Sequence, residues 1–397
     1  MIDPKIYLLQ DTCFAIKRWV EPETWGPVIK NIGFDSVEAS FDNEMDLFYT
    51  PKWYRDDWFD RVKKIEKKEG IKVRSFFTGY QTYRTTGLSH PNPRIADYLF
   101  EGWLKPAVQE LGERGLDLGF ALNSFPDNVL QTPEAYQKAK DTVIRYMAKI
   151  GRLGADTNSD MLICTEAMYT PSTIPWTIED SEEILKKIYQ TGGDPVYITI
   201  DLGHMIGQRR FFKPTEDEIS EKLAQAISGE KIAEPWLGAD HTYQIWDKAI
   251  ANKDTSDAVV LKILNDMDHY QYLFSKTKND INPYAWLKKL GCYSPIMHMQ
   301  QTNGKASSHA AFTEESNKDG IIKGKAFFEA IAEAYRQPDA EGMPPKTDRI
   351  NLAFEIFASN SEHPREIIEK LKETSAYWKQ FVPEDGMRLS EILKRIQ

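Results

Sequence analysis

The segment VYITIDLGH (Val196–His204) is an apolar run that ends in the polar residues Asp201 and His204. Seven further segments share the features of an apolar run followed by polar residues. They are KIYLLQDT (Lys5–Thr12), FDSVEAS (Phe34–Ser40), KVRSFF (Lys72–Phe77), LDLGFA (Leu116–Ala121), MLICTEAM (Met161–Met168), SPIMHMQQT (Ser294–Thr302) and RINLAFEIF (Arg349–Phe357). Short apolar runs of this kind are typical of parallel strands buried on both faces. The sequence therefore predicts eight such strands.

Amphipathic helical patterns lie between these strands. Apolar residues recur at helical spacing in segments 25–32, 53–69, 93–114, 133–153, 178–191, 323–335 and 364–378. Eight strands alternating with helices predict an α/β fold, a (β/α)₈ TIM barrel. The alternative is a doubly wound open sheet, but the glycine-rich phosphate turn that often marks that fold does not follow the first strand.

The spacing of the predicted strands indicates one long insertion. The 397 residues are interpreted as a single barrel domain, 1–397, because barrels with insertions often exceed about 250 residues. An unusually long stretch separates strand six from strand seven, and its segments 215–229 and 257–274 have helical patterns of their own. We therefore expect a mostly helical insertion, residues 206–292, at the C-terminal face of the barrel, acting as a lid or a subunit contact. The alternative is a surface decoration.

Composition narrows the range of function classes. The chain is 41% hydrophobic and 28% charged, with a net charge of −10, as expected for a globular protein that nucleic acid repels. It has no apolar run long enough to span a membrane, its start lacks the pattern of a secretory signal, and its three cysteines are too few for a disulfide framework. We therefore expect a cytoplasmic protein that binds neither nucleic acid nor a membrane.

Metal-ligating residue types occur at the ends of four consecutive predicted strands. Glu166 ends strand five, Asp201 and His204 end strand six, His298 ends strand seven and Glu355 ends strand eight. In this fold such positions face the active site. A divalent cation would neutralise carboxylates that could not otherwise share one pocket. The oxygen-rich set favours Mn²⁺, Co²⁺ or Mg²⁺, with Zn²⁺ as an alternative. Any one of these residues could instead be a hydrogen-bonded loop anchor.

The order Glu166, Asp201-x-x-His204, His298, Glu355 resembles the xylose isomerase-like superfamily of sugar isomerases and epimerases, of which endonuclease IV is a distant relative. Within it, the chain is most similar to the ketose 3-epimerases and the tetrulose-4-phosphate racemases. The segments that resemble this branch are DTCFAIKRW (Asp11–Trp19), VEAS (Val37–Ser40), TEAMYTPSTIPWTIED (Thr165–Asp180), DLGH (Asp201–His204), NPYAWLKKLG (Asn282–Gly291) and HMQQTNG (His298–Gly304).

The resemblance implies a role for each matching residue. Glu166, Asp201, His298 and Glu355 would bind the metal, and Glu166 and Glu355 would also form the acid–base pair that abstracts and returns a proton beside a ketose carbonyl. His204 would hydrogen-bond a substrate oxygen. The epimerases carry an arginine a few residues after the strand-seven histidine, whereas this chain reads MQQTNGKASSH from Met299 to His309 and has no arginine there.

Other polar residues near the predicted strand ends are candidates for binding the substrate. Gln300, Lys305 and His309 follow strand seven, and Lys17 and Arg18 follow strand one. The cations would suit a phosphorylated sugar, although each could be a solvated surface charge. Candidate pocket walls are aromatic and could equally belong to the core. They are Phe14, Phe77, Tyr80 and Trp176.

The sequence thus predicts a metal-dependent epimerase or isomerase whose partner is a small sugar or sugar phosphate, with a homo-oligomer as an open option. Two alternative enzymes are an aldose–ketose isomerase of an unphosphorylated sugar and a DNA-repair enzyme of the endonuclease IV type. The second is disfavoured by the negative net charge and by a shortage of histidines at the strand ends. A non-catalytic sugar-binding barrel would not need the two glutamates.

Overall fold

The eight predicted strands form a closed parallel barrel in the structure, a computed structural model that describes residues 2–48, 50–79, 87–121 and 124–397. Each strand pairs in parallel with the next, and β1 pairs with both β2 and β8, which closes the ring. The strands are β1 Lys5–Asp11, β2 Ser36–Ser40, β3 Lys72–Thr78, β4 Asp117–Phe120, β5 Ile163–Glu166, β6 Tyr197–Asp201, β7 Ile296–Met299 and β8 Arg349–Phe354. The predicted (β/α)₈ barrel is confirmed.

Helices surround the barrel and lie between consecutive strands. Their bounds are α1 Pro22–Ile32, α2 Phe41–Glu44, α3 Lys52–Glu69, α4 Pro93–Leu99, α5 Lys105–Gly112, α6 Asp127–Leu130, α7 Pro133–Thr157, α8 Ile178–Gly192, α9 Glu216–Ser228, α10 Asp240–Asn252, α11 Asp257–Met267, α12 Pro283–Leu290, α13 Glu314–Asp319, α14 Gly324–Arg336, α15 Pro364–Lys379 and α16 Leu389–Ile396. A π-helical turn, Phe100–Leu104, joins α4 to α5. Within the described ranges, no helix is long and apolar enough to cross a membrane.

Local signals in the sequence set where several helices begin and end. The side chain of Thr177 accepts a hydrogen bond from the backbone of Asp180 at the start of α8, and Thr215 and Glu218 form a reciprocal capping box at the start of α9. Gly33 and Gly70 end α1 and α3 with φ angles of 93° and 67°, which glycine adopts without a steric penalty. The helices therefore start and stop where short-range chemistry directs.

The segment between β6 and β7 has two structurally different parts. Helices α9, α10 and α11 pack on one another, and Tyr272 beyond them donates a hydrogen bond to the carbonyl of Leu130, at the end of α6. Helix α12 instead packs against α8 and α14, in the helical layer around the barrel. The helices of the insertion were predicted in part, since α10 and α12 were not. The role of 206–292 as a lid or subunit contact stays a prediction.

The C-terminal segment adds a ninth strand that the sequence did not suggest. Strand β9 (Met387–Arg388) pairs antiparallel with β1, with Ile6 opposite Met387. Just before β9, the carboxylate of Asp385 accepts hydrogen bonds from the backbone of Leu8 and the hydroxyl of Ser36. This segment therefore holds β1 and β2 from the end of the barrel opposite the polar strand ends.

Candidate functional site

A cavity of about 120 Å³ opens at the C-terminal ends of the strands. Its described lining combines apolar residues with carboxylates and imidazoles. These residues are Phe77, Gly79, Ala121, Glu166, Met168, Tyr169, His204, His309, Glu355 and Phe357. None of them comes from the helices α9–α12. The cavity therefore lies where the strand-end residues were predicted to meet.

Glu166 and Glu355, which line this cavity, converge with Asp201 and His298 in one group. One potential ligand atom from each lies within 4.8 Å of the others, and all four residues are buried. The Nδ1 atom of His298 is 2.8 Å from Oε1 of Glu166 and 3.5 Å from Oε2 of Glu355. The structure thus brings together the four residues predicted to bind a metal ion, and this group could hold one.

Asp201 is held by the loop that follows β7. Gln300 donates from Nε2 to Oδ1 of Asp201 at 2.7 Å and lies 3.0 Å from Oδ2. The side-chain oxygen of Gln300 accepts from the backbone of His309 at 2.6 Å and of Ser308 at 3.0 Å. The backbone amides of Gly203 and His204 also donate to Asp201 Oδ1. Gln300 therefore positions Asp201 and the His309 backbone rather than facing the cavity.

Two histidines lie at the wall of the cavity. His204 packs its Nδ1 atom 3.2 Å from the carbonyl oxygen of Ala167, and its ring centre is 5.8 Å from that of His309. The Nδ1 atom of His309 is 3.3 Å from Oε2 of Glu355, and its ring lies 4.3 Å from that of Phe357. His309 has a φ of 43°, an uncommon backbone conformation for a residue other than glycine. Both imidazoles are therefore within reach of a molecule in the cavity.

The pKa values of the two glutamates are shifted in opposite directions. Burial raises the pKa of Glu166, despite the opposing effect of His204 and His298. Burial would also raise the pKa of Glu355, but the charges of His298 and His309 outweigh it and hold that pKa well below its ordinary range. Before any cation binds, Glu355 therefore gives up its proton more readily than Glu166 does.

Carboxylates of the same cluster raise the pKa values of His298 and His309. Burial disfavours a charged His298, but Glu355 and Glu166 together raise its pKa well above the ordinary value. Burial acts likewise on His309, and Glu355 and Asp201 raise its pKa to about 9. A positive charge in this cluster is therefore strongly favoured, as expected where several carboxylates share a buried site.

Sequence reasoning missed two acidic residues of the cluster. Asp11 ends β1 and Glu38 lies in β2, and together with His298 they form a second buried group with potential ligand atoms within 4.8 Å. Burial and the neighbouring Glu38 raise the pKa of Asp11 well above its ordinary value. A carboxylate at the end of a strand, the criterion that selected Glu166, would have selected Asp11, whereas Glu38 lies in the middle of β2.

The predicted phosphate-binding cations are not among the described residues that line the cavity. Arg18 donates to the carbonyls of Ser359 and Glu362, in the loop after β8, and the Nζ atom of Lys17 is 3.5 Å from the side-chain oxygen of Asn360. Lys305 is exposed on the loop after β7. Their part in substrate binding stays a prediction.

Of the aromatic residues considered as pocket walls, Phe77 lines the cavity and packs its ring 4.9 Å from that of His298. Phe14 and Trp176 are buried in the core, the alternative position considered for these aromatic residues. Tyr80 lies outside the described residues. Tyr169 and Phe357 line the cavity without having been predicted.

No protein-family model matches the chain. A curated relative, D-erythrulose 1-phosphate 3-epimerase from Brucella abortus (strain 2308), is 25% identical over 185 residues, which cover 42% of this chain and 56% of the relative. The chain thus spans little more than half the length of the curated relative that it matches.

Solved structures resemble the chain over nearly its whole length. A Rhodospirillum rubrum protein, provisionally assigned as a xylose isomerase, has a TM-score of 0.58 at 17% identity, covering 94% of this chain and 98% of its own. D-psicose 3-epimerase from Clostridium cellulolyticum H10 has a TM-score of 0.53 at 10% identity, with the same coverage. An L-ribulose 3-epimerase has a TM-score of 0.51 at 11% identity, covering 100% of this chain and 96% of its own. The chain therefore shares the (β/α)₈ barrel fold of these solved structures, as the alternation of its predicted strands and helices indicated.

Proposed function

We propose that this protein is a divalent-metal-dependent epimerase that inverts the carbon beside the carbonyl of a small ketose. The observation that carries the proposal is the convergence of Glu166, Asp201, His298 and Glu355 in one buried group at the mouth of the barrel. The likeness in sequence to a tetrulose-phosphate epimerase supports the same reaction class.

The chemistry of the donor set fits a divalent cation. Three carboxylates that are at most 5% exposed meet around one imidazole, and such a concentration of negative charge is costly without a compensating cation. Oxygen donors with a single imidazole favour Mn²⁺, Co²⁺ or Mg²⁺ over softer metals, with Zn²⁺ as an alternative. When bound, the ion would act as a Lewis acid for the negative charge that develops on the substrate oxygens.

The two glutamates supply the acid–base chemistry. Glu166 reaches the cavity from β5 and Glu355 from the end of β8, three strands further around the barrel. One carboxylate removes the proton beside the carbonyl, and the other returns a proton to the opposite face of the same carbon. His204 and His309 offer hydrogen bonds to substrate oxygens from the cavity wall.

We further propose that the ketose carries a phosphate group. The substrate in the name of the curated relative supports this, and so do the cationic side chains on the segments that follow β1, β6 and β7. Arg209, which follows β6, donates to the carbonyl of Gly304 next to Lys305, and Arg18 and Lys17 hold the loop after β8. These cations follow the C-terminal ends of strands, where the cavity opens, and would meet a phosphate on that face of the barrel.

The experiment that tests the proposal is deuterium incorporation from D₂O. A panel of ketose phosphates and the matching free ketoses is incubated with protein stripped of metal, and then with protein reloaded with Mn²⁺ or Co²⁺. We expect label at the carbon beside the carbonyl only with metal, and faster with the phosphorylated member of a pair. Full activity in protein shown by elemental analysis to lack metal would contradict the proposal.

A second measurement distinguishes epimerase from isomerase. Glu166→Gln should block exchange from one epimer and retain some from the other, and Glu355→Gln should show the reverse preference, because each glutamate serves one face. Metal content is measured for both variants, since both residues are also proposed ligands. Label that moves to the neighbouring carbon, with an aldose accumulating, would favour the aldose–ketose alternative.

A further inference from the structure

His298 is held between two glutamates, one on each ring nitrogen. Its Nδ1 atom faces Glu166 at 2.8 Å, and its Nε2 atom lies 3.0 Å from Oε1 of Glu38. His298 and Glu38 are both fully buried. The contact between Nε2 and Glu38 is therefore shielded from solvent, whereas Glu166 borders the cavity.

Glu38 is itself fixed by the neighbouring strand. Ser75 lies directly opposite Glu38 in the pairing of β2 with β3, and its hydroxyl donates to Oε2 of Glu38 at 2.6 Å. A bulge in this pairing falls between Val37 and Glu38, and such irregularities often redirect a side chain near a functional site. Each carboxylate oxygen of Glu38 therefore has one hydrogen-bond partner, Ser75 on Oε2 and His298 on Oε1.

We propose that Glu38 is the positioning residue that keeps the Nε2 proton of His298 toward β2, so that Nδ1 is the ring atom presented to a cation bound among Glu166, Asp201 and Glu355. This inference rests on the proposed function, since it concerns how the chain prepares His298 to bind the cation. Histidine ligands of metals commonly donate their other ring N–H to a carboxylate, which sets the tautomer and the ring orientation.

The geometry favours this role over a second cation at Asp11, Glu38 and His298. The Nε2 atom of His298 is already directed at one oxygen of Glu38, and the other oxygen accepts the proton of Ser75. A cation there would have to displace both hydrogen bonds. Glu38 is not among the described residues that line the cavity, so we infer that it contributes to metal binding through His298.

The test is the affinity for Mn²⁺, measured by titration calorimetry on wild type, Glu38→Ala and Glu38→Gln. Removing the partner of a histidine ligand commonly lowers metal affinity about 10- to 100-fold, and we expect a loss in this range for Glu38→Ala. Glu38→Gln should recover most of the affinity, because its amide oxygen can still accept the Nε2 proton. Ser75→Ala, which removes only the second hydrogen bond of Glu38, should cause a smaller loss.

A matched control is Asp385→Ala. Asp385 also accepts a hydrogen bond from a strand serine, Ser36, but at the opposite end of the barrel. The Asp385→Ala change should lower the melting temperature and leave Mn²⁺ affinity within about twofold of wild type. This result would separate general destabilisation from a local effect on the metal site.

The two proposals fail in different ways. Wild-type protein that binds no Mn²⁺, Co²⁺ or Mg²⁺ would contradict the proposed function. Wild-type protein that binds Mn²⁺, together with unchanged binding by folded Glu38→Ala, would overturn the role of Glu38. Equal losses of affinity in Glu38→Ala and Asp385→Ala would overturn it too, because the loss would then follow stability alone.

Discussion

Replacing Gly203 by alanine should displace Gln300, and with it the support of Asp201. The backbone of Gly203 has a φ of −98° and a ψ of −30°, which alanine adopts without strain. A β-carbon at this position would, however, lie 2.3–2.7 Å from the amide atoms of Gln300. Alanine and the present conformation of Gln300 therefore exclude each other.

The cost follows from the contacts that Gln300 would lose. Its amide donates to the carboxylate of Asp201 and accepts from the backbone of Ser308 and His309. A hydrogen bond to a charged group contributes about 1.5–3 kcal/mol and a neutral one about 1 kcal/mol, so partial loss gives roughly 2–5 kcal/mol. At about 2 cal/mol/K of unfolding entropy per residue, a chain of this length should melt roughly 2–6 °C lower.

A double-mutant cycle with thermal unfolding measures this directly. Gln300→Ala alone removes the obstructing side chain, so adding Gly203→Ala to it should cost less than about 0.5 kcal/mol more. Gly102→Ala is the control for a glycine-to-alanine change, because the nearest atom to its β-carbon would be 3.8 Å away. If Gly203→Ala is as costly in the Gln300→Ala background as in wild type, the clash with Gln300 is not the reason for glycine in the segment DLGH.

Burial raises the pKa of Glu44 to about 8, so the folded chain keeps a proton that the unfolded chain loses above about pH 4.5, and stability should fall as pH rises toward 8. Glu44→Gln should therefore gain melting temperature relative to wild type as pH increases from 5 to 8; a constant difference would contradict this. Arg55 pairs with Glu110 in a buried contact of 2.7 Å, so Arg55→Met should cost about 3–5 kcal/mol in urea unfolding. The double variant Arg55→Met/Glu110→Leu should recover most of that loss, and a double variant no more stable than the single one would refute the explanation. Mn²⁺ at a hundredfold excess over its dissociation constant should stabilise wild type by about 2.7 kcal/mol, and Asp201→Asn should reduce this shift at the same concentration. An identical shift in both proteins would remove Asp201 from the binding group.

The fold could be predicted because its signals are local and repeated. Each strand is a short apolar run, each helix has its own periodicity, and the closed ring follows from eight such units in alternation. Strand β9 has only two residues, and its pairing with Ile6 is set by contacts across nearly the whole chain. Such long-range pairing leaves no periodic signal in the sequence.

The candidate site could be predicted in part for a similar reason. Glu166, Asp201, His298 and Glu355 lie at strand ends, where the barrel itself brings side chains together. Glu38 lies in the middle of β2 rather than at its end, and its proposed role depends on a hydrogen bond with a histidine 260 positions away. Gln300 hydrogen-bonds to Asp201 and to the loop after β7, contacts that its position in the sequence did not indicate, and its part in substrate binding stays a prediction.

The closure of the barrel between β1 and β8 has a consequence for synthesis. Gln10 in β1 donates a hydrogen bond to the carbonyl of Phe354 in β8, 344 positions later. One edge of β1 therefore has no partner strand until the intervening chain and β8 have been translated. At about 5–20 residues per second, that interval lasts roughly 20–70 s. During this time the nascent chain carries an open strand edge that can pair with other chains. The ribosome-bound intermediate is therefore the stage at which this protein would most need a chaperone.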